Sequence, residues 1–203
     1  MTALALPPAA PPARRNVVLA GTCFAIAAGA MLIVGLVAAY FQARQLAVHG
    51  NQVWIDTKKT PLPNMALAVT YLSLGMSSFT CQWAVSAIKQ NDRRQSYVAV
   101  GLTLMLAAAF VNGLSYCWGQ SHLKAGGGGY ADHMYALTVT HLLLVFAAIA
   151  LLLVMGFRVL GGQFGPRNVE FVQSAVAFWH FAVVSGGVVW WVCWFLVAVP
   201  HRH

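Results

Sequence analysis

FVQSAVAFWHFAVVSGGVVWWVCWFLVAV, residues 171–199, decides the fold. It runs 29 residues without one formal charge. A helix rises ~1.5 Å per residue, so ~20 apolar residues are enough to cross a bilayer. Inside the stretch one imidazole sits among aromatic rings, in Phe178-Trp179-His180-Phe181. At its far end Trp190, Trp191 and Trp194 cluster where an interfacial aromatic belt lies.

The rest of the chain has the same character. Of 203 residues 60% are hydrophobic and 8% charged, and the mean hydropathy is +0.70. A soluble domain carries about 25% charged residues. The apolar runs are continuous rather than alternating, which favours helices over a membrane barrel. The expected fold class is all-α, a polytopic membrane bundle of five transmembrane helices at about 17–41, 64–88, 97–118, 132–157 and 171–199. Residues 1–16, rich in Pro and Ala, read as a flexible tail, and 17–203 as one transmembrane domain.

The connections add topology. The loop at 42–63 is the longest, and Pro61 and Pro63 prepare the second helix. The link at 89–95 is tight, so helices two and three should be antiparallel neighbours. Gly126 to Gly129 read as a flexible tip, and Gly161-Gly162 and Gly165-Pro166 as breaks before helix five. Net charge is +8, from twelve Lys and Arg against four acids. The basic residues lie between apolar runs, where they meet lipid headgroups, so nucleic acid is excluded as a partner. Seven of them (Arg14, Arg15, Lys89, Arg93, Arg94, Arg158, Arg167) fall on one side, and five (Arg44, Lys58, Lys59, Lys124, Arg202) on the other. That bias predicts a cytoplasmic N-terminus and an external C-terminus; the expected location is a bacterial plasma membrane.

Function is bounded by what the spans lack. The four acids, Asp56, Asp92, Asp132 and Glu170, all lie in connections or at helix ends. Pumps and ion-coupled carriers place ionisable groups along the path, so this chain alone is a poor pump, channel or carrier. Cys23, Cys81, Cys117 and Cys193 occupy four different runs without a CxxC, and read as small buried hydrophobes. Ser185, Gly186 and Gly187 offer a small patch for close helix approach. His141 and His180 each lie about nine residues into their helices, from opposite sides. Their depths should differ by more than ~10 Å at ~1.5 Å per residue. A haem with two axial histidines needs both at one iron. The plainer reading gives each His a Ser, a Thr or a backbone carbonyl on a neighbouring helix. His201 and His203 flank Arg202 on the tail and read as solvated.

The order of short motifs resembles subunit III of the haem-copper oxidases, in the five-helix form that lacks the first two of seven helices. The motifs are Gly35-Leu36-Val37-Ala38-Ala39-Tyr40-Phe41, Pro63-Asn64-Met65-Ala66-Leu67, and Gln82-Trp83-Ala84 followed by Asn91-Asp92-Arg93-Arg94. Tyr116 and Trp118 follow, then Thr140-His141, then Phe178-Trp179-His180-Phe181. The resemblance covers most of residues 28–199. It singles out Tyr40, Asn64, Gln82, Trp83, Arg93, Arg94, His141, Trp179 and His180 as motif and packing candidates. Four departures stand beside it: the family pattern has Glu at Gly29, often Glu at Cys117, His at Leu144 and Asp at Val183. The resemblance therefore carries no proton-related role to this chain.

The resemblance implies a non-catalytic accessory subunit with no catalytic, cofactor or metal residue of its own. It would stabilise the catalytic subunit of a terminal respiratory oxidase and bind phospholipid. Haem and copper are expected in the partner subunits, and the expected partners are the haem-copper catalytic subunit, other oxidase subunits and membrane lipid. The alternatives are an accessory subunit of a nitric oxide reductase-type complex and a small membrane cytochrome using His141 and His180. A membrane scaffold or transporter stands further back.

Overall fold

The computed structural model describes residues 16–56, 60–164 and 169–198. Five long helices account for most of them: α1 (Val17–His49), α2 (Asn64–Lys89), α3 (Arg93–Ser121), α4 (Gly129–Leu160) and α5 (Glu170–Trp190). A π-helical turn, Trp191–Phe195, continues α5 into a last α-helical turn at Leu196–Ala198. No strand occurs among the described residues. The expected N-terminal tail with Arg14 and Arg15, Lys58, Lys59, the Gly165-Pro166 break, Arg167 and the His201-Arg202-His203 tail lie outside the described residues.

Four helices are long and apolar enough to cross a membrane: α1, α3, α4 and α5 with its π turn. The fifth, α2, is long enough but carries more hydroxyls. Those hydroxyls are largely paired within the helix. Thr70 donates to the carbonyl of Ala66 at 2.7 Å, Ser73 to Thr70 at 2.7 Å and Ser86 to Gln82 at 3.3 Å. A hydroxyl bonded to its own helix costs little in lipid, which a hydropathy scale does not register.

The helices form a bundle with α5 at its centre, against α1, α2 and α4; α3 closes the ring between α2 and α4. The most extensive pairing is α2 with α3, as the short link between them demands. That link works because Asn91 takes a left-handed φ of 58° and Asp92 caps α3. The Asp92 carboxylate accepts from the backbone N–H of Gln95 at 3.0 Å. The starts of α1 and α5, the end of α4 and the α2–α3 turn share one end of the bundle, called proximal below. The starts of α2 and α4 and the end of α5 share the distal end.

Three helix bounds depart from the sequence expectation. α1 runs eight residues past Phe41, through Arg44, because Gln42 to His49 are mostly good helix formers and a long cation reaches water from inside a helix. α4 starts at Gly129, three residues before Asp132. A Cβ at Gly129 would lie 2.9 Å from the Trp54 ring, so only glycine lets this start pack against the long loop. The fifth run is not one continuous α-helix: Leu196 N–H reaches back five residues to the carbonyl of Trp191.

α1 begins without a side-chain cap from Asn16. Glu170, in the first turn of α5, supplies what is missing. Its Oε1 accepts from the backbone N–H groups of Val18 at 3.1 Å and Leu19 at 3.4 Å. One carboxylate thus serves orphan donors of one helix from the first turn of another.

Candidate functional site

His180 faces α2. Its Nε2 lies 3.3 Å from Oε1 of Gln82, and its Nδ1 is hydrogen-bonded to the hydroxyl of Ser78. With Nε2–H donating to Gln82, Nδ1 is free to accept from Ser78, so the two bonds are compatible with one neutral tautomer. One residue earlier on each helix, the fully buried Trp179 donates Nε1–H to the Ser77 hydroxyl at 3.1 Å, and Ser77 donates to its own helix at Leu74. Trp179-His180 of α5 therefore meets Ser77-Ser78 of α2, two polar contacts stitched through neighbouring side chains.

His141 is buried completely on α4. Its Nε2–H donates to the carbonyl of Ala182 at 2.9 Å. The ring stacks on Tyr71, with centroids 6.3 Å apart, and meets Phe110 edge-on at 5.7 Å. Its Nδ1 and the Tyr71 hydroxyl are both buried without a hydrogen-bond partner among the described residues. Gly186 makes this packing fit, since a Cβ there would come within 2.8 Å of the imidazole Nε2. Measured along α2, His141 sits at Tyr71, whereas His180 reaches Ser78 and Gln82. That places the two imidazoles about 10 to 16 Å apart in depth, at ~1.5 Å per residue. Among the described residues no group of three His, Cys, Asp or Glu side chains gathers that could hold a metal ion.

The other candidates spread to the two ends. At the proximal end Trp83 donates Nε1–H to Gln95 at 3.0 Å, and the Gln95 amide donates to Asp92 at 2.8 Å. Arg93 and Arg94 begin α3 there, both exposed, with the Arg93 guanidinium beside Gly162. Tyr40 is fully buried at the distal end, edge-on to Trp54 at 5.4 Å and Tyr130 at 6.4 Å, and its hydroxyl accepts from Trp54 at 3.4 Å. Tyr130 closes that cluster by donating to the Cys193 carbonyl at 2.6 Å. Asn64 is the exposed first residue of α2, and Pro63 rather than Asn64 precedes the helix as its cap. Of the nine candidates only Gln82 and His180 touch each other by a hydrogen bond; Trp179 neighbours them in sequence and bonds elsewhere.

Sequence reasoning missed Ser77, Ser78, Gln95, Tyr71 and the Glu170 clasp. The available signal was the density of hydroxyls in α2, since polar side chains in a membrane span point towards partners. Two of the four departures from the family pattern meet in space. A Cβ at Gly29 would fall 2.9 Å from the Phe181 ring and 3.4 Å from Leu144. Apolar packing fills the place where the pattern would put a carboxylate and an imidazole side by side.

The family model described as Cytochrome c oxidase subunit III matches residues 12–199. The chain belongs to the cytochrome c oxidase subunit III family. A probable cytochrome c oxidase subunit 3 of Nocardia farcinica is 32% identical over 178 residues, covering 83% of this chain and 82% of the relative. A cytochrome c oxidase subunit 3 of Corynebacterium diphtheriae is 28% identical over 84% of each chain. A probable cytochrome c oxidase subunit 3 of Mycobacterium leprae is 30% identical over 91% of this chain and 88% of its own length. With the family and the apolar helices together, this subunit III-family chain is an integral membrane protein. It is an accessory subunit of a haem-copper oxidase, and so a member of an oxidase complex.

Proposed function

We propose that the chain packs against the haem-copper catalytic subunit of a terminal respiratory oxidase, stabilises it during turnover and holds phospholipid at the join. Haem and copper then reside in the partner subunits, which carry electrons to oxygen, while this chain provides shape and an apolar surface. The observation that carries the reading is the family match across residues 12–199. The side-chain pattern agrees with it: Thr70, Ser73 and Ser77 bond within their own helix, and His141, Trp179 and His180 bond across helices, as in a rigid support. The nine motif residues act as packing positions in this reading, with Trp179, His180 and Gln82 joining α5 to α2.

The proposed setting is a bacterial plasma membrane, with the proximal end cytoplasmic. Tagged purification in mild detergent, with mass spectrometry of what co-purifies, tests the assignment. A haem-copper catalytic chain at equal stoichiometry is the expected result. Recovery of this chain alone as a folded homo-oligomer, or with a nitric oxide reductase catalytic chain, would overturn it. Orientation is read separately: cysteine at Arg94 should be shielded from an impermeant maleimide in intact cells, and cysteine at Lys124 should react.

A further inference from the structure

At its distal end the central helix departs from α-helical geometry. Trp191–Phe195 is π-helical, and the N–H of Leu196 reaches the carbonyl of Trp191, five residues back. A π turn is rare, so something in its surroundings has to select it over the α-helix. Two buried tyrosines flank it. Tyr71 of α2 lies against Trp190 and Trp194, with ring centroids 6.5 and 5.8 Å apart. Tyr130 of α4 donates its hydroxyl to the carbonyl of Cys193 at 2.6 Å, in the middle of the turn. Of the two, Tyr130 acts on the main chain. In an unbroken α-helix the Cys193 carbonyl is taken by the N–H four residues on. A buried hydroxyl bonded to the same carbonyl favours the widened turn over the closed ladder.

Tyr130 is held in turn from the connection between α1 and α2. The Trp54 ring of that loop packs edge-on to it at 6.2 Å, and the Tyr40 ring does so at 6.4 Å. Trp54 also donates to the Tyr40 hydroxyl at 3.4 Å, which fixes the two rings against each other. The loop ring reaches this place because Gly129, the neighbour of Tyr130, has no Cβ to meet it. Loop, phenol and helix main chain thus touch in series: Trp54, Tyr130, the Cys193 carbonyl. The turn at the end of the series has two states open to it. With the carbonyl held, the extra residue stays in the π turn. With the carbonyl released, the turn can close to α. Residues beyond it then move by one position, a rotation of ~100° and a shift of ~1.5 Å.

We propose that the distal end of α5 is a two-register element: Tyr130 is the clasp that keeps the π register, and the α1–α2 loop, through Trp54, is the strap that keeps Tyr130 in place. The device belongs to the chain's own fold and does not depend on which complex the chain joins. The full chain is labelled with 5-fluorotryptophan in detergent, and the fluorine resonance of Trp194 is assigned by its loss in Trp194→Phe. Tyr130→Phe, which removes the hydroxyl and keeps the ring, should move that resonance or split it in two. Trp54→Ala should move it in the same direction. Deletion of Trp191 removes the extra residue, closes the turn to α and keeps the phase beyond it. That variant should stay folded, with a melting temperature within about 5 °C of wild type. Deletion of Val184, also exposed on α5, puts the buried Ser185, Gly186 and Val189 out of phase and should abolish cooperative unfolding. In the chain without Trp191, Tyr130→Phe and Trp54→Ala should no longer move the Trp194 resonance, a non-additivity that loss of packing alone does not produce. A resonance unmoved by either substitution, equal damage from the two deletions, or shifts of the same size with and without Trp191 overturns the proposal.

Discussion

α1 and α5 are both apolar enough to span a membrane, and they run parallel, yet they live in different surroundings. About 11% of the most apolar window of α1 is buried within the chain, against 50% for α5. The more hydrophobic of the two is the outer one. In water that order would be reversed. In lipid the hydrophobic effect does not pull helices together, so the outer helix can be uniformly apolar, while the central helix carries the polar and small residues that pack and bond. α1 buries only Gly29, Ile33 and Tyr40, whereas α5 buries Trp179, Ser174, Ser185 and Gly186 among others. Hydropathy ranks a segment's affinity for lipid and not its depth in a bundle.

The contrast can be broken most sharply at its aromatic residues. Trp179→Ala removes a ring with no exposure and its bond to Ser77. It should cost about 3–5 kcal/mol in reversible unfolding in detergent. Phe24→Ala, at 78% exposure on α1, should change almost nothing in the same assay. Equal losses at the two positions would mean that α1 is as deeply engaged as α5.

Crowding gives the next largest effect. Gly29→Glu places side-chain atoms against Phe181 and Leu144. It should destabilise by about 1–3 kcal/mol from overpacking, with desolvation of the carboxyl adding to that. Phe181→Ala in the same chain should recover part of the loss, and additive losses in the double-mutant cycle would count against the contact. A milder pair uses alanine. Gly186→Ala meets His141 and Leu74 within 3 Å and should lower the melting temperature, while Gly35→Ala meets nothing within 4 Å and should leave it level or slightly higher.

The smallest effect is at the place where the two helices touch through a carboxylate. Glu170→Ala should cost about 0.5–2 kcal/mol, as a lost helix cap does. It should raise hydrogen exchange at Val18 and Leu19 while leaving the centre of α5 protected. Glu170→Gln keeps an acceptor oxygen and should lose less.

The five helices were legible because each apolar run is long enough to cross a bilayer, and the α2–α3 pairing because so short a link favours neighbours. Helix ends were less legible. Apolarity stops near Phe41, but backbone hydrogen bonding does not stop until His49. The partners of the histidines were legible in kind and not in identity. A Ser or a backbone carbonyl was the natural expectation, but nothing in a single chain tells that Ser78 and Gln82 lie on the helix His180 faces, or that His141 reaches Ala182. The Glu170 clasp was hidden for a similar reason. Glu170 reads as an acid in its own helix's first turn, and only the parallel alignment of α1 and α5 turns it towards Val18.

The π turn at Trp191–Phe195 has a consequence for numbering. A single π turn holds one residue more than the α-helical turn it replaces, so the chain beyond it is advanced by one position relative to an unbroken helix. Relatives that lack the turn correspond to this chain residue for residue only up to its start. Past Phe195 a motif copied across without a one-residue gap would point to the wrong side of the helix, by about 100°.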